Sequence, residues 1–296
     1  MHNTIRFKHA NSSTPREKTA AEAALAHGAA IDEWIINRLT IPTLDLPNLE
    51  GATPEEAAHE LRYAWALGDG PAPNMIQLLE SRGIHAYGLP HAAAPVGAFS
   101  AWHKQRPLVF LARRGTPEQS RYDTARELGH LTMHRDTTHL TPAEARKQAD
   151  QFANEFLTPK TAIQGGLPYN PVTQELLRFR ASFRVPAMTA AQAVHAATMS
   201  SEWHHRQLTA DLSRHGYRTG EPGGMTQHER SRIFDTLFSP DFPKSTTVNT
   251  LARETNLPPA DVHALTLGTA LRAVPSHRQA ATTSTKGRRP TLRLIT

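Results

Sequence analysis

Strand-like sequence in this chain is confined to one short stretch. IHAYGL (84–89), VGAFSAW (96–102) and PLVFLA (107–112) are apolar or alternating runs, and from Thr116 onward nothing reads as strand. The chain can therefore build only a small sheet, and helices must supply the rest of the core. The last two runs, separated by HKQR, predict a hairpin. The expected class is α+β, with a small antiparallel sheet beside a helix that begins near Thr116 and a mostly helical remainder.

Helical spacing predicts one amphipathic helix over 15–39, then a linker at about 40–54 marked by three prolines and a glycine. Helices follow at 55–67 and 74–82. Thr141-Pro142-Ala143-Glu144 combines a capping box with proline at the first helical position, so it opens a helix whose apolar stripe is Ala149, Phe152, Ala153, Phe156 and Leu157, ended by Pro159. Extending that stripe one turn back reaches Arg146, which predicts an inward-pointing guanidinium. Further helices are expected at 173–181, 186–199, 202–215 and 227–238, and 247–266 has the spacing of a helix-turn-helix. The organisation expected is an N-terminal helix and linker (1–54), a central domain (55–170), a helical region (171–275) and a basic tail (276–296).

The 296 residues include no cysteine, which excludes disulfides, thiolate nucleophiles and cysteine-ligated zinc. Any metal would need His and carboxylate ligands. The formal charge of +6 is concentrated in the tail, where Arg278, Lys286, Arg288, Arg289 and Arg293 meet no acidic residue. A basic Ser/Thr-rich end reads as a solvated tail, with nucleic-acid binding as the competing reading. No apolar run approaches the ~20 residues that cross a bilayer, and the start lacks the apolar stretch of a signal peptide. A cytoplasmic protein is expected.

Residues 121–134, RYDTARELGHLTMH, have the frame of a His-Glu-x-x-His helix. In such a helix two imidazoles one turn apart converge on Zn²⁺ and the glutamate acts on the metal-bound water. Here Glu127 and His130 hold those positions, while Arg126 stands where the first histidine would be. A guanidinium stays protonated and has no lone pair to donate. His130 alone cannot hold zinc against water, since catalytic sites use three protein ligands. It therefore reads first as a hydrogen-bonded, half-buried histidine, with a relocated His130/His134 pair as the alternative. Glu127 occupies a general-base position and, without metal, is expected to pair with Arg126 or Arg146. Phe99 and Trp102 at the hairpin read as packing, or as contacts for a peptide added along the sheet edge.

These segments resemble the ImmA/IrrE metallopeptidases. EEAAHELRYAWALGDGPAPNMIQLLESRGI is similar to the family's opening segment, FSAWHKQRPLVFLA to its strand pair, RYDTARELGHLTMH to its metal helix and QADQFANEFLTP to its third-ligand helix. LTADLSRHGYRTGEP is similar to the segment that follows the peptidase core, so the resemblance covers roughly 15–270. It implies a zincin-like domain whose zinc is held by both motif histidines and a glutamate on the later helix. That glutamate position falls on Arg146, or on Lys147 or Gln148 if the alignment shifts, and none of the three is a carboxylate. Glu144 is near enough to substitute, but its place in the capping box gives it another task. The helix-turn-helix module that precedes the peptidase in fused relatives is expected to be absent.

The function expected is thus that of a metal-free pseudopeptidase, with no cofactor, that regulates by binding protein. The partner implied by the resemblance is a helix-turn-helix repressor of a phage or mobile element. Two alternatives stand beside it: an active zinc peptidase with unusual ligands that cleaves a repressor, and a DNA-associated regulator that uses 247–266 and the tail.

Overall fold

The computed structural model describes residues 14–135, 140–240, 242 and 246–269. The basic tail at 276–296 lies outside them. The chain begins with α1 (Pro15–Ile36), whose start is fixed by a capping box between Thr14 and Glu17 with Pro15 at the first helical position. A second Thr-Pro-x-Glu box at Thr53 opens α2 (Pro54–Ala64), and α3 (Met75–Ser81) follows Asn74, whose side chain caps Gln77 N–H. Among the described residues no helix is long and apolar enough to cross a membrane.

The strands are β1 (His85–Gly88), β2 (Phe99–His103) and β3 (Arg106–Leu111), in the spatial order β1-β3-β2. β2 and β3 form the expected antiparallel hairpin, closed by Lys104 and Gln105 at φ +47° and +66°. Positive φ at both central residues suits the right-handed twist of a two-residue hairpin. The sheet is nevertheless mixed rather than wholly antiparallel, because β1 runs parallel to β3 with His85 opposite Leu108 and Gly88 opposite Leu111. β3 is the central strand and is buried at five of its six residues. Its near-continuous apolar run is what a strand covered on both faces requires, and burial of that kind accommodates a parallel neighbour.

The motif helix α4 (Pro117–Met133) packs against β2 and β3 and, most extensively, against α5 (Pro142–Leu157). The two helices come close at Gly129, where a Cβ would lie 2.7 Å from Phe152 Cδ1. A side chain there would hold the two helices apart, so the glycine sets the distance between the elements that carry the site.

Beyond α5 come α6 (Lys160–Gly166), α7 (Thr173–Phe183), α8 (Ala187–Ala196) and α9 (Glu202–Arg214). The helix expected at 227–238 is only α10 (Arg232–Leu237), because the chain before it is held by buried charges instead of by helical hydrogen bonds. Glu118 accepts from Met225 N–H at 2.6 Å, Glu221 accepts from Ala187 N–H at 3.1 Å, and Glu229 accepts from Met75 N–H at 2.7 Å and pairs with buried Arg121. Glu80 then takes the Ser231 hydroxyl and Arg232 N–H at the start of α10.

The last described helices are α11 (Val248–Thr255) and α12 (Pro259–Leu265), joined by Asn256 in the left-handed conformation and Leu257-Pro258. The helix-turn-helix spacing is there, but α12 packs against α1 and β1. A Cβ on Gly88 would lie 2.2 Å from Ala264 O, and Val262 and Leu265 are fully buried. One face of this second helix is thus packed into the core, while Pro259 and Ala260 at its start are exposed.

Candidate functional site

The site lies along one stripe of α4. Thr116 caps the helix through Gln119 N–H, Pro117 occupies the first position, and His134 ends it with its N–H on His130 O at 3.0 Å. Asp123, Arg126, Glu127 and His130 recur at the spacing of neighbours on a helix surface.

Arg126 is mostly buried and sits among carboxylates. Its Nη1 is 3.1 Å from Asp123 Oδ1 and its Nε is 3.5 Å from Glu127 Oε1. Burial opposes its charge, but Glu127, Asp123 and Asp150 outweigh that and hold its pKa above the ordinary value. Burial raises the pKa values of Asp123 and Asp150, an effect Arg126 partly offsets. Tyr122 joins the group from the same helix, with its hydroxyl 3.2 Å from Asp150 O on α5.

Glu127 is fully buried, and that burial pushes its carboxyl up to about 7 against the pull of Arg126 and Ser100. Ser100 on β2 donates from Oγ to Glu127 Oε2 at 3.0 Å. His130 and His134 meet through their Nδ1 atoms at 2.9 Å, and His134 Nε2 lies 2.8 Å from Gln148 Oε1. With Gln148 Oε1 as acceptor and both rings neutral, the hydrogen bonds run from His130 to His134 to Gln148, tying α4 to α5.

Arg146 is not inward. Its side chain is 62 % exposed and pairs only loosely with Asp150, at 3.9 Å, so it does not face Arg126 across the site. The reason is steric and lies in the stripe itself. Positions three and four residues before Ala149 both border the inner face, and the small Ala145 takes the buried place while the long cation stays in water. Of the three positions open to a third ligand, only Gln148 contacts a histidine of α4, and that histidine is His134, one turn past the motif position His130. Glu144 closes the capping box on Thr141, at 2.8 Å to the backbone N–H and 2.7 Å to the hydroxyl.

At the hairpin, Phe99 is buried and stacks on Phe110 with centroids 4.7 Å apart, so it offers no surface to a peptide. Trp102 is half-buried with the Arg135 guanidinium 4.2 Å above its ring. β2 is the outer strand of the described sheet. The pairing of His103 with Arg106 closes the hairpin, so alternate residues, Ser100 and Trp102, direct their backbone groups away from β3.

Sequence reasoning did not find Ser100, Tyr122, Asp123, Asp150 or Arg135 as members of the site. Asp123 and Arg126 have the i, i+3 spacing of a helix ion pair, which was a readable signal. Ser100 and Arg135 are placed by tertiary packing, and no local pattern marks them.

A zinc centre needs about three lone-pair donors at one point. The corresponding positions hold a protonated guanidinium, one imidazole that is hydrogen-bonded to His134, and a neutral amide. Among the described residues no three His, Asp, Glu or Cys side chains converge as a metal-binding group. This donor set does not fit zinc.

Comparison with known proteins supplies the lineage. No curated protein matches the chain. A family model described as the IrrE N-terminal-like domain matches residues 79–195, which takes in all three strands, α4 and α5. Residues 79–195 of this chain are therefore an ImmA/IrrE-family, metallopeptidase-like domain.

Proposed function

We propose that the protein is a metal-free pseudopeptidase of the ImmA/IrrE type that regulates by holding an extended segment of a protein partner. The observation that carries this reading is Arg126. It occupies the first-ligand position of the motif helix and is engaged by Asp123 and Glu127. A cation fixed there repels a divalent metal and cannot coordinate it. Glu127 then has no metal-bound water to act on.

What remains for binding is β2, the outer strand of the described sheet. The outward backbone groups of Ser100 and Trp102 can take an added strand, with main-chain hydrogen bonds for affinity and the neighbouring side chains for specificity. The partner we propose is a helix-turn-helix repressor of a phage or mobile element, which is the target class that the resemblance implies. The test is to incubate the purified protein with such a repressor in the presence and absence of EDTA. The expected result is a complex of intact chains that EDTA does not disturb. Repressor cleavage that EDTA stops and Glu127→Gln abolishes would overturn the reading.

A further inference from the structure

The family match implies a metal that the side chains at the site do not accommodate, and the same side chains show what replaces it. Asp123 and Glu127 flank one place on α4, Asp150 of α5 lies beside Tyr122 of α4, and burial disfavours the charge of each carboxylate. Such a group cannot stay ionised without a cation among it. Arg126 is that cation, with Asp123 at 3.1 Å and Glu127 at 3.5 Å, and with Asp150 contributing across the α4–α5 contact. The neighbouring link between the same two helices, from His130 through His134 to Gln148, consists of hydrogen bonds at 2.9 and 2.8 Å and needs no ion.

We propose that Arg126 is a resident cation: its guanidinium neutralises the buried carboxylates around it, while the His130–His134–Gln148 chain joins α4 to α5, so that together they stand where a bound metal would otherwise do both. The proposal rests on the metal-free reading above and adds a structural role to it. Arg126 thereby becomes a positioning residue, since it fixes Glu127 and the α4 stripe without touching a partner. Position 126 lies one turn before His130, and Gln148 is the α5 side chain that reaches His134, which is in turn bonded to His130. Exchanging these two residues for ligands would return the cross-link to a metal.

The experiment compares melting temperatures of the full chain with those of Arg126→Met, Arg126→Lys and the double variant Arg126→His with Gln148→Glu. Each is measured with EDTA and with added zinc. Arg126→Met keeps the length of the side chain and removes its charge, and should lower the melting temperature by about 5–10 °C, as expected when buried charges lose their partner. Arg126→Lys should recover most of that loss. The double variant should melt low in EDTA and rise when zinc is added, by an amount that grows with zinc concentration.

An Arg126→Met protein as stable as the parent would overturn the proposal, as would an Arg126→Lys protein as unstable as Arg126→Met. A double variant that folds and ignores zinc would show that Arg126 does not occupy the metal's place. These results are separate from the zinc content of the parent protein, which tests the metal-free reading itself.

Discussion

Glu127 is the clearest case of a residue whose environment works against its charge. Its carboxyl titrates at about 7, well above the ordinary 4.5, because burial outweighs the help of Arg126 and Ser100. A carboxyl raised in the folded state contributes stability that is fully present below its unfolded pKa and is lost as pH rises through the folded value. The loss should therefore fall between about pH 4.5 and 7 and amount to roughly 3 kcal/mol. Glu127→Gln keeps the shape and cannot ionise. Denaturant titrations across that range should show the parent losing stability and the variant holding level, with the variant the more stable at pH 8. Parallel curves would count against this assignment. Arg126, Glu127 and His130 were legible because helix spacing alone places them on one stripe. The inward turn of Arg146 was misread because the stripe permits Ala145 as well, and only packing chooses between them.

At the level of elements, the α4–α5 contact depends on the absence of a side chain at Gly129. Alanine is the better helix former by about 1 kcal/mol. Its Cβ would nevertheless meet the Phe152 ring at 2.7 Å, and overpacking of that kind costs about 1–3 kcal/mol. Gly129→Ala should therefore lower stability, and adding Phe152→Leu should restore part of it, an interaction that a double-mutant cycle measures directly. Strictly additive effects would mean that the helices can move apart freely. Helix starts were readable here, since threonine capping boxes at Thr14, Thr53 and Thr141 use local residues only. The parallel pairing of β1 was not, because the preference of a strand for a parallel neighbour depends on what covers its faces. The packing of one face of α12 against α1 and β1 was hidden for the same reason.

Charges far apart in sequence fasten the later part of the chain to the central domain. The chain between α9 and α10 is tied down by Glu118, Glu221 and Glu229, and Arg180 sits between Glu118, at 3.4 Å, and Glu221, at 3.1 Å. Burial, the larger influence, raises Glu221 to about 7, and Ala187 N–H and Arg180 only partly oppose it. The sign is the same as for Glu127, so this anchor weakens as pH rises from about 4.5 through 7. Tryptic cleavage after Arg218 should accelerate over that interval beyond the intrinsic pH dependence of the protease, and Glu221→Gln should remove the excess. No sequence pattern announces such a network, which explains why a helix was expected over 227–238 where buried carboxylates hold irregular chain. Across the whole molecule, Arg126 at the first-ligand position is the residue on which the metal-free reading rests. The most direct test is therefore the zinc content of the protein purified without chelator and dialysed. A metal-free site should retain far less than one equivalent per chain, unchanged by His130→Ala. One retained equivalent that His130→Ala abolishes would contradict that reading.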